Sequence, residues 1–150
     1  TQVDPRGDTE QALPIIQKLL DLHEIEAAMN LGKAFLKVER HSSSLEIFEF
    51  IDARIPASNE FHPKVLAHLA YSLIGQQQYQ QAMRVLLKAR RELQGQELGF
   101  WPALGLAYSY LKTGNTQDSN RWLSHAKSLP QAPEYAPLVA RIYPEFKDDF

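Results

Sequence analysis

Residues 66–89 read LAHLAYSLIGQQQYQQAMRVLLKA, and their spacing decides the fold. Leu66, Leu69, Ala70 and Leu73 recur at intervals of three and four, so they share one face of a helix. The polar run Gln76-Gln77-Gln78 interrupts the pattern and reads as a turn. Ala82, Leu86 and Ala89 then define the apolar face of a second helix. Small residues at Ala70 and Ala82 let the two backbones approach, and the larger side chains fill the space between them. This is a helical hairpin.

The same order of small and large residues occurs on both sides of this stretch. Upstream, Ala28, Leu31, Gly32 and Phe35 precede Ser44, Phe48, Ile51 and Pro56; downstream, Ala103, Leu106, Ala107 and Tyr110 precede Ser119, Leu123 and Ala126. The copies start about 38 residues apart, a period that marks helical repeats. A single hairpin cannot hide its own apolar face, so the copies are expected to stack.

The rest of the chain completes an all-α reading. The polar stretch Thr1–Asp8 reads as a lead-in, with Thr9 capping a first helix that carries Ile15, Leu19 and Leu22. Pro14 falls near the first turn of that helix, where a missing N–H costs little. Helices are expected over 24–38, from the Ser42–Ser44 cap to Arg54, 63–75, 79–93, 100–112, 116–129 and 133–142. Pro144 ends the last one, and the acidic tail to Phe150 is expected to fray. Nothing alternates with period two for long enough to make a sheet.

Composition narrows the function. The 150 residues suit one domain, taken as 1–150, and the formal net charge of −2 does not suit a nucleic-acid binder. The absence of cysteine excludes disulfides, thiol catalysis and Cys-type zinc sites, and suits a cytoplasmic setting. No apolar run reaches the length of a membrane span. The five histidines His23, His41, His62, His68 and His125 include no i, i+4 pair suited to a metal, and no phosphate loop or nucleophile elbow is present. The reading is therefore a non-enzyme with no cofactor and no metal.

The residues Leu31-Gly32-x-x-Phe35, Ser44-x-x-x-Phe48 and Pro56, with Tyr79 and Ala89 in the second copy and Leu106, Tyr110, Gly114 and Ala126 in the third, resemble the tetratricopeptide repeat (TPR) family. The opening Trp of that pattern is replaced by Ala28, Leu66 and Ala103, and Gln94 and Gln131 stand where Pro is usual. The resemblance implies a right-handed superhelix of three helix pairs, about 25–58, 63–96 and 100–133, with a leading helix and a terminal helix at about 134–143. It implies a groove on the first helices of the pairs that holds a partner protein or peptide segment with apolar anchors. Carried over position by position, the groove residues are Met29, Lys33, Leu36 and Lys37, then Ala67, Tyr71 and Ile74, then Trp101, Leu104, Tyr108 and Leu111. The family's carboxylate-clamp positions hold Met29, Lys33, His68, Trp101 and Gly105, without the Asn–Lys pattern a clamp requires. The overall layout is similar to small bacterial type III secretion chaperones. The alternative is a scaffold or assembly factor of pilus or envelope biogenesis that works by self-association, and a homodimer is open under either reading.

Overall fold

The computed structural model describes the backbone of residues 5–150 and the side chains of residues 9–150. Every element among these residues is helical: α1 Pro5–Asp21, α2 Ile25–Lys37, α3 His41–Arg54, α4 His62–Gly75, α5 Tyr79–Glu92, α6 Phe100–Lys112, α7 Thr116–Ser128, α8 Ala132–Ile142 and a 3-10 turn at Pro144–Phe146. The all-helical expectation holds, and the helices pack in pairs: α2 on α3, α4 on α5, α6 on α7.

One connection recurs between helices. Arg40 N–H reaches the Phe35 carbonyl, Gln78 N–H the Leu73 carbonyl and Asn115 N–H the Tyr110 carbonyl, each at 2.9 Å. The residue before each donor has left-handed backbone: Glu39 at φ 59°, Gln77 at 60° and Gly114 at 86°. This is a Schellman turn, which satisfies the last carbonyls of one helix and reverses the chain within three residues. The α1–α2 junction repeats it, with His23 at φ 60° and Glu24 N–H on the Leu19 carbonyl at 2.8 Å. Only the turn at 114 places glycine where left-handed backbone is free of Cβ strain. Gln77→Gly is accordingly expected to stabilise the fold by up to about 1 kcal/mol, read as a raised urea midpoint with unchanged slope.

The small-and-large spacing locates the core. Ser44, Ala82 and Ser119 are all buried, and so are Phe48, Leu86 and Leu123 at the positions four residues on. The hydroxyls in these close contacts are satisfied: Ser119 donates to the Ala107 carbonyl at 2.7 Å, and Ser44 and Ser72 share a hydrogen bond of 2.7 Å between α3 and α4. Successive pairs join through α3 on α4 and α5 on α6. The first helices also touch directly, α2 on α4 and α4 on α6, without comparable contact between α3 and α5 or between α5 and α7. The stack therefore closes up on the side of α2, α4 and α6.

Four sequence expectations change. Helix α1 begins at Pro5 rather than at Thr9, so Pro14 lies in its interior and leaves the Glu10 carbonyl without a helical donor. Thr9 is 2% exposed within that helix rather than at its start. Positions 1–4 of the expected lead-in lie outside the described residues. Ser42–Ser44 do not cap α3: the cap residue is Arg40, without a side-chain cap bond, and Ser43 and Ser44 are inside the helix and buried. The tail does not fray either, because Phe146 is buried and Phe150 packs edge-on against Phe100 at 5.6 Å. Phe146 and Phe150 within this acidic tail supply apolar area that its charge pattern hides.

Candidate functional site

Helices α2, α4 and α6 present their inner faces to one another, and the C-terminal segment folds back across them. A cleft of about 750 Å³ lies there, bounded by Leu36 and Lys37 at the end of α2, Tyr71 and Ile74 on α4, Tyr108 on α6, Arg141 and Ile142 at the end of α8, and Tyr143 beyond it. Glu39 and His41 before and at the start of α3, and Gly75, Gln77 and Tyr79 around the α4–α5 turn, also line it. Its size is that of an ordinary ligand or peptide pocket.

The structure sorts the groove residues expected from sequence into three sets. Leu36, Lys37, Tyr71, Ile74 and Tyr108 line the cleft together. Lys33, Ala67, Trp101 and Leu111 are half-buried away from it. Met29 and Leu104 are core residues, Leu104 with no exposed surface. Trp101 is covered by α8, its ring 5.3 Å from Tyr135 and 5.1 Å from Phe100. Met29, Leu104 and Trp101 thus face other parts of the chain, and the open part of the groove is the α2–α4 end.

The sequence leaves open a terminal helix folded over the groove, and at the α6 end the C-terminal segment takes that place through Tyr143 and Phe146, which the sequence reading did not single out. Tyr143 is 3% exposed, and its ring lies 4.6 Å from that of Tyr108. Its hydroxyl lies beside Gly105, 3.9 Å from the point a Cβ would occupy there, an ordinary contact distance. Phe146 meets the edge of the Tyr108 ring at 6.0 Å. Between them, Glu145 binds Lys112 at 3.0 Å. Burial works against the charged form of Glu145, but hydrogen bonds from Tyr108 and Lys112 prevail and lower its pKa. Burial, followed by the bond to Glu145, raises the Tyr108 phenol. Burial also raises the Tyr143 phenol, with further contributions from Tyr71 and Tyr108, so its polar end sits among the groove tyrosines.

His68 lies on the face of α4 toward α2 and α3, stacked on the Phe48 ring at 5.2 Å and 22°. Burial, then Lys33 and Lys64, hold its pKa down at about 4, against an ordinary 6.5. Between those values the unfolded chain takes up a proton that the folded chain refuses. Stability is therefore complete above the ordinary value and falls as pH drops toward 4, by up to about 3 kcal/mol. In His68→Gln this loss is expected to vanish, measured as the difference between urea unfolding free energies at pH 7 and pH 4.5.

Among the described residues no group of three or more His, Asp or Glu side chains is placed to hold a metal ion. No helix among them is long and apolar enough to cross a membrane. The densest polar cluster is elsewhere: His62, 3% exposed at its side chain, sits between Asp52 of α3 and Glu92 of α5. No protein-family model matches this chain, and no curated protein matches it.

Proposed function

We propose that this chain is a non-enzymatic binding module of tetratricopeptide-like build, a superhelix of three helix pairs that holds a segment of a partner protein against α2 and α4. The observation that carries the reading is the cleft itself: about 750 Å³ of open space floored by Tyr71 and Ile74 and walled by Leu36 and Tyr108. Large aromatic side chains with a polar tip are effective anchors, because they combine apolar area with a hydrogen-bonding group. The recurring Schellman turn and the direct contacts among α2, α4 and α6 support a repeat stack whose inner side is the first helices. Such a module works by recognition alone, since an extended segment needs apolar pockets and rim charges rather than a reactive group.

The test is a displayed library of random twelve-residue peptides, selected against the immobilised protein. Selected peptides are expected to shift backbone amide resonances of residues 36–41 and 71–79, and to lose at least about tenfold in affinity to Tyr71→Ala, a change of about 1.4 kcal/mol. Far-ultraviolet circular dichroism of that variant should match the parent. Selection of no binder, or of binders that perturb only α5 and α7, would overturn the reading.

A further inference from the structure

We infer that the open end of the groove takes an acidic segment carrying an aromatic anchor. This is the chemistry that the chain's own tail already presents to the neighbouring end of the same face. The inference rests on the groove reading above and adds the class of partner.

The tail supplies an internal template. Tyr143 lays its ring 4.6 Å from that of Tyr108, Glu145 places a carboxylate on Lys112 at 3.0 Å, and Phe146 packs T-shaped with Tyr108 at 6.0 Å. Aromatic, acid and aromatic are thus read by a tyrosine ring and a neighbouring cation. Tyr143 and Tyr108 also form one wall of the open cleft, so the occupied and open parts are continuous.

The open part repeats the complementary half of that chemistry without the ligand. Its aromatic floor is Tyr71, whose ring lies 5.8 Å from that of His41. Its cations are Lys37 on α2 and Arg141 at the end of α8. Lys112 has found its carboxylate in Glu145, whereas Lys37 and Arg141 make no ion pair among the described residues. Along the same face, Lys33 and Lys64 lie close enough to His68 to depress its basicity, extending positive potential beyond the cleft. Glu39 is the one carboxylate on the cleft wall, facing Tyr71. Unpaired cations around a tyrosine floor favour an acidic ligand over a neutral or basic one, because opposite charge both steers encounter and suppresses wrong partners.

The experiment uses the full chain and three synthetic peptides with blocked ends. One has the sequence of residues 142–149, IYPEFKDD; one has its tyrosine replaced by alanine; one has its three carboxylates replaced by lysine. Binding is measured by fluorescence anisotropy and mapped by amide shifts. The parent peptide is expected to bind at residues 36–41 and 71–79, and each altered peptide to bind at least about tenfold more weakly. Raising the salt should weaken the parent peptide as the Debye length shortens. Lys37→Glu combined with Arg141→Glu, both at exposed positions, should remove the preference for acid while leaving the thermal midpoint in place.

Equal affinity for the acidic and lysine peptides would overturn the inference. So would shifts confined to Tyr143, Phe146 and Phe150, since the peptide would then be replacing the tail rather than filling the cleft. In either case library-selected peptides bound at Tyr71 would leave the groove reading standing. If no peptide of any composition binds there, the groove reading itself fails.

Discussion

Phe48→Ala is expected to lower the unfolding free energy by about 3–5 kcal/mol, the upper range for truncating a buried aromatic. Phe48 has no exposed surface and belongs to α3, but it contacts the two helices that flank it. Toward α2, its ring atoms lie 2.6 Å and 2.7 Å from the point a Cβ would occupy at Gly32, so the ring fills the notch left by that glycine. Toward α4, it stacks on His68. Removing it opens a void between the first and second helix pairs. The lost contacts and the residual cavity add, which places this site above the average core truncation. A fall in the urea midpoint at constant slope would check it, and a loss below about 1 kcal/mol would mean that the pairs repack freely. The pH effect of His68 should shrink in the same variant, because the imidazole would lose the ring that covers it.

Much of this core was legible from residue spacing, and the reason is local. Burial in a helix recurs every three to four residues, so Leu66, Leu69, Ala70 and Leu73 announce their shared face within one short stretch. The bounds of α4 and α6 followed from the same pattern together with Pro63, Gly75 and Lys112. What stayed hidden depends on partners far along the chain. Ser44 looks like a helix cap in isolation; it is buried because its hydroxyl meets that of Ser72, 28 residues on. His23, Glu39 and Gln77 take left-handed backbone with no glycine to mark it, so the common turn is visible only in the hydrogen bonds. The groove positions were assigned by analogy to a repeat, which implies a terminal helix but not which residues beyond it meet the groove. Tyr143 and Phe146 lie over α6 because of contacts with Tyr108, more than 30 residues away.

His62→Ala is expected to cost about 3 kcal/mol, the upper range for leaving buried hydrogen-bonding groups without their partner. The imidazole bridges three helices: Nε2 meets the Asp52 carboxylate of α3 at 2.6 Å, and Nδ1 meets the Glu92 carboxylate of α5 at 2.5 Å. Without the ring, two carboxylates converge on a vacated space. Glu92 is the more exposed to this loss, since its side chain is 13% accessible and its second oxygen already lacks a partner in the described structure. Truncating the donor therefore leaves a mostly buried acid with no hydrogen bond on either oxygen. His62→Gln keeps one donor of similar reach and should recover part of the loss, whereas an unspecific packing role would make the alanine and glutamine variants equal. The triple variant His62→Leu, Asp52→Asn, Glu92→Gln separates polarity from volume: it removes the imidazole and both carboxyl groups together and should lie closer to wild type than His62→Ala does. Because the cluster ties α3 to α5 through the start of α4, its loss should raise amide exchange at the ends of α3 and α5 and at the start of α4. The α6–α7 pair, which shares no atom of the network, should exchange as before unless the chain unfolds as one unit.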